Sequence, residues 1–313
     1  MIDGFIVVNK PSGITSHDVV SILRRTLQHK KIGHTGTLDP FATGVLPIAL
    51  GEGTKAIPYL DESIKEYQGV MRLGISTDTL DLTGTIVAQK DPSHLTAEMI
   101  HAVIPAFTGT IVQLPPMFSA IKQGGVPLYK LARRGETVER KERGVVIHSL
   151  VIDRISLPDI AFTVRCSRGT YVRTLADDIG AALGVGAHLT ELRRTASGSF
   201  HQLDSITLAE LASSNPDELL QGRVISIKKA LAGLLELGLT ESGCKRIRNG
   251  IAPSLHDLEP FPGQLPESGR GMLLFHGELQ AVCDIMPPEH DSGFQRMKLC
   301  RVFNLLSPLH VSV

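Results

Sequence analysis

The stretch GHTGTLDPFATGVLPIALGEGTK, residues 33–55, determines how the first half of the chain folds. Glycines and prolines interrupt it too often for one long helix or strand, yet it carries many apolar residues that need a folded interior.

Asp39 stands in the middle of this segment, directly before Pro40. An Asp-Pro pair commonly opens a turn, which gives the carboxylate a purely structural explanation. A chemical role is the alternative, because proline stiffens the backbone and the flanking glycines allow another chain to approach closely. His34, five residues before Asp39, places a second polar group in the same segment.

The composition is that of an ordinary globular protein. With 313 residues the chain is long enough for two domains, or for one large domain with an appendage. Hydrophobic residues make up 42% and charged residues 20%, which suits a protein with a buried core. The formal net charge is zero, so the overall basic excess typical of nucleic-acid binders is missing. The protein could still bind a nucleic acid if its positive charges are concentrated in one region of the chain.

Several classes of protein are disfavoured by absent motifs. The four cysteines lie far apart without a C-x-x-C pair, which argues against a disulfide framework or a zinc site and fits a reducing compartment. The first apolar run lacks the basic flank of a signal peptide, and no apolar stretch approaches the ~20 residues that span a bilayer. No phosphate loop, dinucleotide fingerprint or metal-ligand spacing occurs. We therefore expect a soluble, cytoplasmic protein with no membrane partner, no cofactor and no metal.

Apolar periodicity predicts a mixture of strands and helices. The segments GFIVVNK, EYQGVMRLGI and IAFTVRCS read as buried or half-buried strands. TSHDVVSILRRTL reads as a helix capped by Thr15 or Ser16, and the segment after RGT carries the apolar stripe of a second helix. A regular βαβ repeat is missing. The pattern predicts an α+β protein with a mixed, largely antiparallel sheet flanked by helices.

Two regions depart from this pattern. Residues 113–143 are rich in proline, glycine and charge, and they contain seven basic against three acidic residues. A connection of this length inside a compact domain is usually functional or disordered. From residue 236 onward, a short basic helix, a Pro/Gly-rich stretch, a hairpin and a last strand predict a small, mostly β domain. The predicted domains are therefore residues 1–235, with an insert at 113–143, and residues 236–313.

Arg173 is the strongest chemical indication in the second half of the chain. It falls in the first turn of its predicted helix, where the helix dipole disfavours a cation. An anionic partner is therefore expected, against the alternative of a solvated surface arginine. If that partner is Asp39, the guanidinium would keep the carboxylate ionised and oriented. Tyr67, on the apolar face of its strand, and Tyr171, in the turn before Arg173, are either packing residues or flat surfaces for an unstacked base.

Several long segments, in order from Asn9 to Gly198, resemble the TruB family of tRNA pseudouridine-55 synthases. They are NKPSGITSHDVV, GHTGTLDPFATGVLPIALGEGTK, EYQGVMRLGISTDTLDLTG, PPMFSAIKQGGVPLYKLARRG and CSRGTYVRTLADDIG with GAHLTELRRTASG. The tail resembles the PUA-like RNA-binding domain that ends these enzymes. The resemblance implies the pseudouridine synthase fold for residues 1–235 and a PUA-like domain for residues 236–313.

The resemblance also implies roles for individual residues. Asp39 falls on the family's catalytic aspartate, a nucleophile or base, Arg173 on the arginine that pairs with it, and Tyr67 on the tyrosine stacked on the target base. The implied substrate-binding positions are His34, Tyr67, Tyr171, Leu192, Lys10 and Pro11. The expected RNA contacts are Lys122, Lys130, Arg133, Arg134, Arg193, Lys245 and Arg246. Asn9 stands where the family often has aspartate, which argues against a carboxylate role there.

The implied reaction detaches a uracil from its ribose in the tRNA T stem-loop, rotates it and rejoins it through C5. Because that uridine is buried in the folded loop, it must be flipped out, and we expect the insert to be mobile alone and to order on RNA. We expect a monomer. The alternatives are a guide-RNA-dependent synthase of the dyskerin type, whose insert is shorter, and a non-catalytic tRNA-binding or folding protein. A glycosidase is less compatible, because a second suitably placed acid is not evident.

Overall fold

The computed structural model describes residues 2–213, 215–261, 264–287 and 297–305. Strands alternate with short helices along this part of the chain. The strands are β1 (Gly4–Lys10), β2 (Ile32–His34), β3 (Thr43–Leu50), β4 (Ile64–Leu73), β5 (Ile75–Thr77), β6 (Ile86–Gln89), β7 (Gly109–Gln113), β8 (Lys122–Gln123), β9 (Val126–Pro127), β10 (Arg143–Ser156), β11 (Asp159–Ser167), β12 (Ala187–Ser197), β13 (Phe200–His201), β14 (Ser205–Thr207), β15 (Leu235–Gly238), β16 (Gly269–Phe275), β17 (Glu278–Ile285) and β18 (Met297–Val302).

The helices are shorter than the main strands, and several consist of a single turn. The α-helices are α1 (Ser16–Thr26), α2 (Gly53–Ala56), α3 (Ala97–Val103), α4 (Leu128–Ala132), α5 (Val172–Ala182), α6 (Leu208–Ser213), α7 (Pro216–Leu220), α8 (Ile227–Ala230) and α9 (Glu241–Arg248). The 3-10 turns are Ile57–Tyr59, Ile104–Phe107, Gln202–Asp204 and Leu255–Asp257. Within the described residues, none of these helices is long and apolar enough to cross a bilayer.

One large sheet organises the first part of the chain. Its main path runs β14-β1-β3-β12-β4-β11-β10-β7, with β2 paired to β3 and β13 paired to β12. The pairs β1–β14 and β3–β12 are parallel, and the other pairs along this path are antiparallel. The α+β class and the mixed, largely antiparallel sheet predicted from the sequence are confirmed.

Strand β4 lies in the middle of this sheet, between β11 and β12. Its buried and accessible residues alternate, which is the period-2 pattern read from the sequence. Tyr67 faces Val164 and Met71 faces Ile160 across the β4–β11 pair. Gly69 leaves room for the ring of Phe162 on the neighbouring strand, because a Cβ at that position would lie 2.8 Å from its Cζ, so a larger residue would displace the ring.

Helices α1 and α5 form as the sequence predicts. Thr15, one of two candidate caps, is the N-cap of α1, and its side chain and that of Asp18 form a reciprocal capping box. In α5 the apolar stripe, which includes Leu175 and Ile179, is buried in the core. The first turn of α5 places Arg173 next to Val172 at the start of the helix. Helix α3 begins after its N-cap residue, Thr96, whose side chain accepts a hydrogen bond from the Met99 amide.

The first strand is buried on both faces, which explains its continuous apolar run. Ile6 and Val8 belong to the main core, together with the apolar sides of α1 and α5. Phe5 and Val7 point the other way and share a second core with residues of the tail, including Met272. The first strand therefore connects the main sheet to the C-terminal part of the molecule.

The tail forms a separate sheet in the order β15-β16-β17-β18. The predicted basic helix is α9, and the predicted hairpin is β16 and β17. The small, mostly β C-terminal unit is thus present, and its first strand begins at Leu235. Residues 262–263, 288–296 and 306–313 of the predicted domain lie outside the described residues.

The predicted insert contains local structure of its own. Strands β8 and β9 form a two-residue hairpin whose turn, Gly124 and Gly125, has φ angles of 57° and 83°. Two consecutive positive φ values are what a type I′ turn requires, and glycine adopts them without strain. Helix α4 follows, with Leu128 buried. That the insert, residues 113–143, is mobile in the absence of RNA stays a prediction.

Candidate active site

Two of the candidate residues, Lys10 and Tyr67, lie in one row across four neighbouring strands. Lys10 on β1 faces Gly44 on β3, Gly44 faces Arg194 on β12, and Arg194 faces Tyr67 on β4. Neighbouring strands are about 4.8 Å apart, so the row brings distant parts of the sequence together. Gly44 has a φ of 99°, and a Cβ there would lie 2.2 Å from the backbone oxygen of Arg194. Glycine is therefore needed where β3 and β12 meet.

The loop between β2 and β3 carries Asp39, and bonds on both sides of that residue fix its backbone. Ser16 Oγ accepts a hydrogen bond from the Leu38 amide at 2.9 Å, which ties the loop to the start of α1. The Pro40 carbonyl accepts from the Gly13 amide at 2.8 Å and from Lys10 Nζ at 3.1 Å. The glycine- and proline-rich stretch therefore forms a loop whose central carboxylate is held in place by its neighbours.

Arg173 forms a bidentate ion pair with Asp39. Nε of the arginine lies 2.9 Å from Oδ2, and Nη2 lies 3.2 Å from Oδ1. Two further N–H groups donate to the Thr79 carbonyl at 3.0 Å and the Phe118 carbonyl at 2.9 Å. A bidentate Arg–carboxylate pair fixes orientation as well as charge. The contact between Asp39 and Arg173 that the sequence suggested is present.

A second carboxylate, Asp81, also contacts Arg173. Nη1 of Arg173 lies 3.4 Å from Asp81 Oδ2, and the side chain of Asp81 is 5% exposed. Thr79 and the Thr83 amide donate to Asp81 Oδ1, at 2.8 and 2.9 Å. The side chain of Asp39, by contrast, is 34% exposed. Of these two carboxylates, Asp39 is the one that an incoming molecule can reach.

The electrostatic environment of Asp39 opposes its ionisation. Protein atoms surround the carboxyl group closely, and this burial raises its pKa above the ordinary value. The guanidinium of Arg173 acts in the opposite direction, whereas the Asp81 carboxylate raises the pKa further. The result is a carboxyl group that is kept in place by a cation and closely surrounded by protein atoms, which is typical of functional sites.

Tyr67 and Arg194 lie side by side on the adjoining strands. Tyr67 is buried, and burial raises the pKa of its phenol, partly offset by Arg194. Arg194 is 1% exposed. Its Nε donates to the Val45 carbonyl at 2.7 Å, and Nη2 donates to the Gly36 carbonyl at 3.2 Å. Arg194 therefore connects β3 to the Asp39 loop.

Beside Arg194 lies a buried ionic cluster. Lys65 Nζ donates to Ser197 Oγ at 3.0 Å and lies 3.8 Å from Glu62, which also accepts from Thr35 at the start of the Asp39 loop. Burial, with Arg194 acting in the same direction, lowers the pKa of Lys65 to about 8. The cluster connects the base of the loop to β4 and β12.

Lys10 is fully buried, and its ammonium group is saturated. Nζ donates to the carbonyls of Pro11, Ile14 and Pro40, at 2.8, 2.7 and 3.1 Å. Burial lowers the pKa of Lys10 to about 8, against the opposing effect of Asp39. An ammonium group has three N–H donors, so Lys10 would have to break one of these bonds to donate to a substrate. The structure gives it the task of holding the loop.

The other predicted substrate-binding residues differ in exposure. Pro11 is exposed, His34 and Tyr171 are half-buried, and Leu192 is buried on β12. Burial lowers the pKa of His34, and its Nδ1 has no partner among the described residues. The backbone of Tyr171 is fixed by two hydrogen bonds to the side-chain amide of Gln113.

The predicted RNA contacts are accessible but not equally free. Lys122, Lys130, Arg133 and Arg134 are exposed on the insert, and Arg134 lies 3.8 Å from Glu136. Arg193 is half-buried and donates to Gln202 at 3.0 Å. On α9, Lys245 pairs with Glu241 at 2.8 Å. Arg246 lies 3.3 Å from Asp257, so part of its charge is already matched.

Asp81, Arg194, Lys65 and Gln113 were not identified from the sequence. A signal existed for Arg194, because it is two residues from Leu192 in a strand and therefore shares its buried face. Asp81 gave no such signal, since an aspartate among threonines in a loop is typical of a turn. Among the described residues, no group of His, Cys, Asp and Glu side chains is placed to hold a metal ion.

Comparison with known proteins places this arrangement in a family. A family model described as the TruB family pseudouridylate synthase N-terminal domain matches residues 24–172. A second model, described as the tRNA pseudouridylate synthase B C-terminal domain, matches residues 173–232.

Relatives match over nearly the whole chain. The tRNA pseudouridine synthase B of Geotalea uraniireducens is 52% identical over 304 residues, which is 97% of this chain and 98% of the relative. That of Geobacter sulfurreducens is 52% identical over 303 residues, covering 96% and 100%. The Clostridium perfringens protein of the same name is 46% identical over 250 residues, covering 80% and 84%.

Solved structures agree with the fold. One chain of the archaeal box H/ACA sRNP Nop10-Cbf5 complex superposes with a TM-score of 0.73 at 27% identity, covering 96% of this chain and 85% of that one. A chain from an H/ACA RNP bound to a substrate RNA containing 2′-deoxyuridine gives 0.72 at 26% identity, covering 96% and 84%.

Proposed function

The chain belongs to the TruB family of pseudouridylate synthases, and on that premise we propose that it converts the uridine at position 55 of tRNA to pseudouridine. The observation that carries the proposal is the geometry of Asp39. The carboxylate of Asp39 forms an ion pair with a buried arginine, and a third of the Asp39 side chain remains exposed to an incoming molecule. The proposed substrate is the T stem-loop of tRNA; the names of the relatives, tRNA pseudouridine synthase B, give tRNA as the substrate class.

The reaction is an isomerisation. The bond between C1′ and N1 breaks, a bond between C1′ and C5 forms, C5 loses a proton and N1 gains one. No electrons are exchanged with a second molecule, so the reaction consumes neither oxidant nor reductant. An anionic oxygen is needed at the junction of sugar and base, whether it attacks C1′, adds to C6 of the ring or removes the 2′ proton. Each of these routes uses Asp39 in its ionised form.

Arg173 makes that ionised form available. Burial and Asp81 both favour protonation of Asp39, and the guanidinium acts against them. Its two contacts also leave the carboxylate with a fixed orientation. Fixed orientation matters because a misplacement of about 1 Å can cost on the order of 10²-fold in rate.

The target base must leave its stack to reach Asp39, which costs a few kcal/mol. Tyr67 supplies a flat, buried ring in the row beside Arg194, and we assign it the role of stacking on the flipped uracil. Leu192 and Tyr171 would complete the apolar walls of the site, with His34 and Pro11 at its rim.

Binding energy for this extrusion would come from the basic insert and from the C-terminal unit. The exposed cations of residues 113–143 suit contacts with phosphates, and the C-terminal sheet with α9 is proposed to act as a PUA-like RNA-binding domain. RNA of this kind is recognised by shape, phosphates and 2′-hydroxyl groups. Because Asp39, Arg173, Tyr67 and Asp81 all come from one chain, we propose that a monomer is the active unit, working in the cytoplasm.

The decisive experiment uses a bare tRNA transcript. Purified protein is incubated with unmodified tRNA, and pseudouridine is mapped along the RNA for the wild type and for Asp39→Asn. We expect modification at position 55 with the wild type alone, while both proteins bind tRNA with similar affinity. Product at another position, or activity that requires an added guide RNA, would refute the proposal.

A further inference from the structure

The C-terminal end of α1 carries a basic cavity that the proposed reaction does not use. Five residues line this cavity, whose volume is about 490 Å³: Arg24, Arg25, Gln28, His29 and Lys30. Three of them are Arg or Lys, and its lining, as far as the structure describes it, contains no carboxylate. We call these five residues the α1-exit cluster.

The backbone folds back to assemble the cluster. Helix α1 ends at Thr26, and Gln28 then adopts a φ of 47°, in the left-handed region that favours glycine. The His29 amide donates to the Arg24 carbonyl at 3.2 Å, five residues back. This closing turn returns His29 and Lys30 to the side of Arg24 and Arg25, instead of leading them away.

The cations of the cluster are not matched by carboxylates. One N–H group of Arg24 donates to the Ile32 carbonyl at 2.8 Å, which aims the guanidinium. Among the described residues, no acidic side chain forms an ion pair with Arg24, Arg25 or Lys30. Lys31, the next residue, shows the contrast, since its ammonium lies 3.8 Å from Glu52. Like charges gathered around one cavity repel each other unless an anion joins them.

His29 gives a second, independent indication. Both of its ring nitrogens are shielded from solvent, and neither has a hydrogen-bond partner among the described residues. Buried polar atoms are nearly always hydrogen-bonded, so an unbonded ring beside a cavity points to a missing partner. The dipole of α1 explains why Arg24 and Arg25 occupy its last turn. It explains neither Lys30, which lies beyond the helix, nor the unbonded nitrogens of His29.

We propose that the α1-exit cluster binds a phosphate group. Arginine presents a planar fork that matches phosphate oxygens, and lysine adds a point charge. The imidazole of His29 can donate to a third oxygen once its ring has turned to expose a nitrogen to the cavity. The phosphate belongs either to the backbone of a bound RNA or to a free phosphate ester. Lys30 is four residues before His34, so their Cα atoms are at most about 15 Å apart. An RNA held at the rim of the site can therefore reach the cluster.

The first test uses inorganic phosphate. The ring signals of His29, identified with His29→Asn, are followed by NMR while phosphate replaces chloride at constant pH and ionic strength. We expect a saturable shift in the wild type and its loss in Arg25→Gln/Lys30→Gln. The matched control is Arg154→Gln/Lys229→Gln, which removes the same charge from exposed residues elsewhere and should leave the shift intact.

The second test uses tRNA and identifies the source of the phosphate. Affinity for a transcript is measured across a range of salt concentrations in the inactive Asp39→Asn background, so the result does not depend on the reaction. If the cluster holds an RNA phosphate, Arg25→Gln/Lys30→Gln reduces the slope of log affinity against log salt by about 1, because each lost phosphate contact changes it by about 0.7–0.9. The control pair leaves the slope unchanged.

Each combination of outcomes has a defined meaning. A His29 shift without a change of slope supports the site and assigns it to a free phosphate ester. A change of slope supports the site and assigns it to RNA, with or without a shift by inorganic phosphate. The proposal is overturned if the slope stays that of the control and phosphate either moves no His29 signal or moves it equally in Arg25→Gln/Lys30→Gln.

Discussion

Two Arg–Asp pairs in this molecule have almost the same geometry and opposite electrostatics. Arg173 contacts Asp39 at 2.9 and 3.2 Å, and Arg72 contacts Asp159 at 2.8 Å through each of two nitrogens. The two aspartate side chains are equally accessible, at 34% and 33%. Yet the pKa of Asp159 is lowered, chiefly by its hydrogen bonds to Arg72, whereas the pKa of Asp39 is raised, chiefly by burial.

The surroundings of each pair account for the difference. The side chain of Arg72, near the C-terminal end of β4, is 43% exposed, and that of Arg173 is 4% exposed in the interior. Arg173 is also shared with Asp81, whose negative charge opposes ionisation of Asp39. A salt bridge alone therefore does not mark an active site. What distinguishes Asp39 is an ion pair held in a poorly solvated place beside a second carboxylate.

The largest expected difference between the two pairs is in stability. Replacing Arg173 with methionine leaves Asp39 and Asp81 without their common cation, and removing one partner of a buried pair costs about 3–5 kcal/mol. The equivalent change at Arg72 breaks an exposed pair, worth about 0.2–1 kcal/mol. Urea unfolding followed by circular dichroism measures both. Equal losses for Arg173→Met and Arg72→Met would contradict the contrast.

The next effect concerns catalysis. Arg173→Lys keeps the positive charge but cannot hold both oxygens of Asp39 in a planar fork. We expect kcat/KM for tRNA to fall by about 10²-fold, because the carboxylate loses its orientation. Arg72→Lys is the matched control, since the same substitution is made in a pair of the same geometry outside the site. An Arg173→Lys enzyme as active as the control would show that orientation is unimportant.

The opposite pKa shifts predict a particular pH dependence. Because the folded pKa of Asp39 lies above the ordinary aspartate value of 3.8, the anion is lost as pH falls through that raised value. The acidic limb of kcat/KM should therefore lie above pH 3.8. Asp81→Asn removes a charge that raises the pKa, so it should move the limb to lower pH. A limb that stays in place, or moves to higher pH, would contradict this reading of the site.

The smallest effect is expected at exposed arginines. The side chain of Arg134, on the insert, is 65% exposed and should act through phosphate contacts, with no effect on the chemical step. Arg134→Gln should reduce the slope of log tRNA affinity against log salt by about 0.7–0.9 and leave the single-turnover rate at saturating enzyme unchanged. Arg154→Gln provides the control. A lower saturated rate would show that this arginine contributes to the reaction itself.

The local sequence pattern predicted most of the helices and strands, and it predicted one of the two Arg–Asp pairs, that of Arg173 with Asp39. The alternation around Tyr67, the cap before α1 and the apolar stripe of α5 reappear in the structure because they express local periodicity. The cation in the first turn of α5 called for an anion, and Asp39 supplies it. These features lie in a few consecutive residues, so a single sequence is enough to read them.

Long-range geometry accounts for what the sequence left open. Asp81 reaches Arg173 across 92 positions of the chain, and nothing in its neighbourhood distinguishes it from a turn residue. The parallel pairing of β3 with β12 brings Arg194 into contact with the Asp39 loop. Local propensity does not predict which strands pair. The contrast between the two Arg–Asp pairs depends on burial and on third partners, and both arise only in the assembled fold.

Single-turnover pseudouridine formation with Asp39→Asn beside Asp81→Asn tests most directly whether Asp39 is the reacting carboxylate. Both substitutions remove a carboxylate that contacts Arg173, but of the two side chains Asp39 is 34% exposed and Asp81 only 5%. We predict no product from Asp39→Asn at any time and slower but measurable product from Asp81→Asn, with both variants folded and binding tRNA. Product from Asp39→Asn, or its absence from Asp81→Asn alone, would contradict the assignment.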